Sequence, residues 1–252
     1  MSQYPSKSPF TNSGMPPRRQ QFQFDFARSY SYIFENPKWL TNVMFCVLCM
    51  LVPVVGPIAF LGYQMEIVQC LHVTQGKRYP DFDTNILGNY LGRGFWVFVV
   101  MLVLSLITTP IFILVAVFIA VGSGGLEAAG GGAVLLLVLP LVFLVTSAVS
   151  VLLALVALPM SLRAGLGMDF GSAFDFGFIK QFVGNVWKQH LLAMVLMIPV
   201  SMIAMVVGLL AFCVGIYVTM VIVQLMYTHH LWQSYELHLS KGGQPIRYRR
   251  ES

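Results

Sequence analysis

The sequence predicts an all-α, polytopic membrane helix bundle: two full spans between two helical hairpins, about six membrane helices, plus two interfacial amphipathic helices. Three observations predict it. The 252 residues are 57% hydrophobic and only 10% charged, whereas a soluble domain carries about 25% charged residues. Four apolar runs, 41–73, 95–121, 133–160 and 190–231, each match or exceed the roughly 20 residues that cross 30 Å of hydrocarbon. Every Lys and Arg lies outside those runs.

Each element has its own signal. Residues 1–21 are rich in Pro, Ser, Gln and Asn with no apolar segment behind them, which predicts a disordered cytoplasmic tail with no cleavable signal peptide. Residues 22–240 form a single membrane domain. Its first part, 22–73, is an interfacial helix and a hairpin. In "FDFARSYSYIFENPKW" (24–39) and the residues just before it, Phe22, Phe26, Tyr30 and Ile33 share one helical face. An amphipathic helix lying in the interface is expected, with Trp39 in the headgroup belt. Asn36-Pro37 reads as the cap and first position of the next helix.

The run 41–73 is about 50 Å long as one helix, too long for one crossing. Pro53, Gly56 and Pro57 interrupt it near its middle, so the chain is expected to turn round there. Each arm holds only about 16 residues, so full crossing and re-entry both stay open. The next two runs, 95–121 and 133–160, read as full spans. "GSGGLEAAGGG" joins them, with Glu127 as its one charge. Residues 170–239 repeat the opening device. In "FDFGFIKQFVGNVW" (174–187), Phe174, Phe178 and Phe182 fall on one helical face before Trp187. The run behind it is about 63 Å long as one helix, with Gly208 and Gly215 near its middle. The recurring Phe-Asp-Phe reads as a parallel internal repeat about an axis along the membrane normal. Residues 241–252 form a basic C-terminal tail.

Charge placement sets the expected topology. The 15 Lys and Arg occupy the N-terminal segment, the 74–94 loop, the 161–189 loop and the C-terminus. Positive residues favour the cytoplasmic side. The protein is therefore expected in the cytoplasmic membrane as a multi-pass chain with both termini cytoplasmic and the glycine-rich loop outside. The net charge of +5 reflects this topology and gives no reason to invoke nucleic acid. The lipid bilayer, other membrane proteins and a second copy of the chain are the partners this composition admits.

Candidate chemistry is sparse. Glu66 lies within the returning arm of the first hairpin, on a face with Gly62, Tyr63, Gln69 and Cys70. An ionisable group at membrane depth is a functional hypothesis by default. Glu66 can bind a cation or proton, or pair with Arg93 or His72; the competing reading is a polar stripe against the interface or a neighbouring helix. Gln224 sits on a comparable stripe of the second hairpin, without an acid. Glu66, Tyr63, Gln69 and Gln224 are thus the candidate polar intramembrane site. His229, His230, Glu236 and His238 in "THHLWQSYELHL" match no recognised metal spacing and read as a wet helix end. Cys46 and Cys49 have CxxC spacing inside an apolar helix, where packing explains them better than redox chemistry. The sequence offers no catalytic, cofactor or metal residues.

The hairpin "VPVVGPIAFLGY" after "NPKWL", followed by "TQGKRYPDFD", resembles the prokaryotic membrane-protein family called domain of unknown function 4013. That family's hairpin ends in Gly-Tyr and runs into a Leu-Pro-x-Phe-Asp loop. Here Tyr79 replaces the Leu, and Pro80, Phe82 and Asp83 keep the pattern. "AFDFGFIKQFVGNVWKQHLL" resembles the family's second half, so the resemblance covers residues 24–240. It implies an integral membrane protein of unassigned activity. The reading is a non-catalytic scaffold, anchor or accessory subunit, not an enzyme. The alternative is a small-solute or ion transporter with Glu66 in the path.

Overall fold

The computed structural model describes residues 22–128, 132–211 and 214–248. The expectations for residues 1–21, the centre of the glycine-rich loop, Cys213 and residues 249–252 lie outside the described residues. The described chain is all-helical, with no strand. The elements are α1 (Phe26–Ser31), a 3-10 turn (Tyr32–Glu35), α2 (Trp39–Leu51), α3 (Val55–Val73), a second 3-10 turn (Thr84–Ile86), α4 (Leu87–Ala128), α5 (Gly132–Gly167), α6 (Phe170–Ala173), α7 (Phe176–Leu210) and α8 (Val214–Ser240).

Helix starts follow the short acids. Asp25 accepts the Arg28 N–H at 3.0 Å and caps α1. Asp175 accepts the Phe178 N–H at 3.0 Å and caps α7. Both are the Asp of a Phe-Asp-Phe, so the recurring motif is a helix start: the carboxylate satisfies an amide that the first turn leaves unpaired.

Beyond the cap the two copies part. The first leaves helical geometry at Asn36, which is extended at φ −84° and ψ 124°, as a residue before proline tends to be. The second has no proline at that point, and α7 runs 35 residues without a break. The expected interfacial helix at 174–187 is therefore the first part of α7. The first aromatic stripe also differs from expectation: it packs on α8, with Phe22 edge-on to Trp232 at 5.7 Å and Tyr30 edge-on to His230 at 5.9 Å. The polar end of α8 offers a protein surface that these rings cover, as Phe178 and Phe182 of the second stripe do against His238.

The first hairpin turns at Val52–Val54. Val54 takes φ 65° and ψ −60°, and the Val55 N–H donates to the Pro53 carbonyl at 2.7 Å. That is a γ-turn of the strained, positive-φ kind, unusual for a β-branched residue. The turn satisfies its own backbone while Leu51, Val52 and Val54 stay exposed. α2 has 13 residues, about 20 Å, too short to cross 30 Å of hydrocarbon.

Among the described residues three helices are long and apolar enough to cross a membrane: Thr84–Val117, Leu139–Gly167 and Phe176–Leu210. α3, α4, α5, α7 and α8 pack in sequence and close into a ring, since α8 also meets α3; α2 lies outside it against α3 and α8. The ring is packed at the charged end, around Tyr63, Tyr90, Phe182, Leu225 and Tyr235. Towards the other end α4, α5 and α7 present bare apolar faces, with Leu114, Phe143 and Leu210 exposed. A water-soluble protein rarely exposes contiguous apolar surface on this scale; lipid covers it without cost.

Candidate functional site

α3 and α4 are brought close by Gly62, where a Cβ would stand 1.7 Å from the Tyr90 carbonyl oxygen. One turn further along α3, Glu66 faces α4. The Nη1 of Arg93 reaches the Glu66 carboxylate at 2.5 Å and donates to the Gln69 side-chain oxygen at 2.6 Å. Glu66 is 5% exposed and Arg93 8%. Each charge lies about seven residues from its helix end at the charged side, hence about 10 Å inward. Two charges at that depth are tolerated because each satisfies the other. Of the alternatives the sequence left open, the pairing with Arg93 is the one the fold makes. His72 instead pairs with Glu236 of α8.

The four candidate residues do not all converge. Arg93 joins Glu66 to Gln69. The Tyr63 hydroxyl donates to the Pro80 carbonyl at 2.9 Å, and its ring meets Phe82 and Tyr90 edge-on. Tyr63 therefore fastens the loop after α3. Gln224 is half-buried on α8, and its carbonyl accepts the Thr228 hydroxyl at 2.8 Å.

The end of α8 is the larger surprise. Thr228–Leu239 is buried throughout, so the wet helix end expected there is a packed core. Gln233 exchanges hydrogen bonds with the Asp25 backbone, at 2.6 and 2.7 Å, and donates to the Ser29 hydroxyl at 2.8 Å. The Ser29 hydroxyl also meets His229 Nδ1 at 2.9 Å and His230 Nδ1 at 3.1 Å. The Tyr32 ring stacks on His229 at 4.4 Å, and its hydroxyl donates to the Leu225 carbonyl. On the opposite side His238 lies against Phe178 and Phe182 and meets the Asn185 amide at 3.2 Å. Burial pushes the His238 imidazole down to about 4. Among the described residues no group of three metal-binding side chains converges.

Sequence reasoning missed Ser29, Asn42 and Asp81, and it placed Gln233 on a face with His229 without its partners Asp25 and Ser29. Asn42 accepts the Phe82 N–H at 3.0 Å, and Asp81 accepts from Asn36 at 2.9 Å. Burial raises the Asp81 carboxyl's pKa, but the contacts from Asn36 and Lys38 outweigh that and hold it below the usual range. A signal existed for Asn42, a lone amide within an apolar run.

No curated protein and no solved structure matches the chain. A family model does match, over residues 45–213, about two thirds of the chain. It takes in the Glu66–Arg93 pair and the three apolar helices, while the Ser29–His229–Gln233 layer joins two segments on either side of the match. The chain belongs to the family described as Protein of unknown function (DUF4013), and it is a membrane protein of unassigned activity.

Proposed function

We propose that this protein is a non-catalytic scaffold, anchor or accessory subunit of the cytoplasmic membrane, with both termini inside the cell. One observation carries the reading. Glu66, the acid on which a transport path would depend, is already paired with Arg93 at 2.5 Å and buried. A pair so placed ties α3 to α4. A transport site would need that carboxylate to open to a solute and exchange partners. The interaction surface of this reading is the charged end, where α1, the loop after α3 and the C-terminal segment wrap α8.

The test is a tagged pull-down from native membranes in mild detergent, with mass spectrometry of the co-purifying proteins, run beside Glu66→Gln. A stoichiometric partner that survives Glu66→Gln supports the scaffold reading. A homo-oligomer with no partner, together with solute flux in proteoliposomes that Glu66→Gln abolishes, replaces it with the transporter.

A further inference from the structure

A cleft of about 500 Å³ opens at the charged end between the start of α2 and the end of α3, a size common for small-molecule sites. Its walls carry Glu35, Lys38, Lys77, Arg78, Tyr79 and Asp81, and they are fixed. The Tyr79 hydroxyl donates to the Ile33 carbonyl at 2.8 Å, Asn36 donates to Asp81, and Arg28 donates to the Gly76 carbonyl at 2.7 Å. The turn that presents Lys77 and Arg78 depends on Gly76. Its φ is 75°, and a Cβ there would stand 2.4 Å from the Trp232 ring.

Charge on the rim is unequal. Lys38 is matched by Asp81 at 3.2 Å, and Arg28 by Glu35 at 3.3 Å. Lys77 and Arg78 are exposed and have no acidic partner among the described residues. The cleft therefore presents two uncommitted cations to whatever enters it. α2, whose N-cap Lys38 is in the cleft wall, also carries an apolar track. Two residues after Lys38, Leu40, Met44 and Leu48 run along one face of α2 at four-residue spacing, 55%, 45% and 54% exposed. Trp39, edge-on to Phe34 at 5.0 Å, marks the headgroup level between head and track. A cleft with two uncommitted cations, bordered by the start of a helix that carries an exposed aliphatic stripe, fits a ligand that is anionic at one end and a hydrocarbon chain at the other.

We propose that this cleft binds the phosphate of an anionic phospholipid, with Lys77 and Arg78 holding the headgroup and a chain lying along Leu40, Met44 and Leu48. The site does not depend on the scaffold reading. Thermal unfolding of the whole chain in mild detergent tests it. The probes are phosphatidylglycerol, phosphatidylcholine with the same chains, and inorganic phosphate. A ligand that binds only the folded state at 100 times its Kd multiplies the folded-to-unfolded ratio about a hundredfold. Phosphatidylglycerol is expected to raise the midpoint, and the other two probes to leave it in place. The double variant Lys77→Gln/Arg78→Gln is expected to lose the shift, while Lys180→Gln/Lys188→Gln, altered at exposed cations elsewhere on the charged end, keeps it.

An equal shift with phosphatidylcholine overturns headgroup recognition. A shift with inorganic phosphate equal to that with phosphatidylglycerol overturns the lipid and assigns a soluble phosphate ligand. A full shift retained by Lys77→Gln/Arg78→Gln overturns the site. Salt gives a second reading on the unaltered protein: two exposed cations are screened, so a phosphatidylglycerol shift unchanged from low to high salt also sinks the proposal.

Discussion

The two hairpins start from one sequence device and become different objects. Each follows a Phe-Asp-Phe whose Asp caps a helix. In the first, Pro37 and Pro53 divide the chain into a six-residue helix, a 3-10 turn and a 13-residue arm. In the second, a 35-residue helix runs unbroken through Pro199 to the turn. Hydrophobicity does not distinguish them, since both runs are long and apolar. Where proline falls relative to the cap decides how far each hairpin reaches. The short hairpin also carries the buried charge pair, on an arm held to α4, whereas the long one is held by apolar contacts and glycine.

Glycine gives the sharpest way to separate them. At Gly56 a Cβ would lie 1.5 Å from the Cys49 carbonyl oxygen, a backbone atom of the facing arm. At Gly208 the nearest atom is the Thr219 hydroxyl at 2.6 Å, a side-chain end that can rotate aside, and the backbone behind it, Ile216 Cα at 3.0 Å and the Gly215 carbonyl oxygen at 3.1 Å, is tight but not overlapping. Gly56→Ala is therefore expected to abolish recovery of monodisperse protein in detergent. Gly208→Ala should fold at a cost of about 1–3 kcal/mol, in the range of overpacking. Equal effects on thermal unfolding would break the comparison, because they would make the two arm contacts equivalent.

Much of this fold was legible in the sequence, for physical reasons. Apolar length and charge placement identify helices that meet lipid, because hydrocarbon tolerates nothing else. The turn at Pro53 to Pro57 was legible because proline and glycine act locally. The fate of "THHLWQSYELHL" was not. Its polar residues have the composition of a wet surface, and they are buried because Asp25 and Ser29, some 200 residues earlier, supply their partners. Local pattern carries no record of such a contact. The Glu66–Arg93 pair lies between these cases: the sequence offered Arg93 and His72 as partners, and the register of α4 on α3 chose between them.

That register supplies the next test. Arg93→Met removes the cation and leaves Glu66 buried without it, which is expected to cost about 3–5 kcal/mol. Glu66→Gln/Arg93→Met removes both charges and should recover most of the loss, since a neutral pair carries no desolvation penalty. Chemical unfolding of the two variants and of Glu66→Gln alone completes a double-mutant cycle. A coupling near zero would mean that α3 and α4 are held by packing alone, and the first hairpin would then resemble the second in how it is secured.

The smallest expected effect concerns the break itself. Pro37 follows an extended Asn36 and is exposed. Replacing it with Ala restores an N–H that the helix start does not require and frees the unfolded chain. That entropy term costs about 0.4–1 kcal/mol. Against it stands a gain, because an alanine lets helix extend from Trp39 back towards Glu35. The two nearly cancel in stability but not in geometry: a longer α2 would carry Asn36 out of the extended state in which its amide reaches Asp81 at 2.9 Å. Pro37→Ala should thus change the unfolding midpoint by little while raising far-ultraviolet helical signal by a few residues. If helicity stays fixed, the break is imposed by the contacts of Tyr32 and Ile33 with α8 and the loop, and the difference between the two hairpins would originate in tertiary packing, with proline only accommodating it.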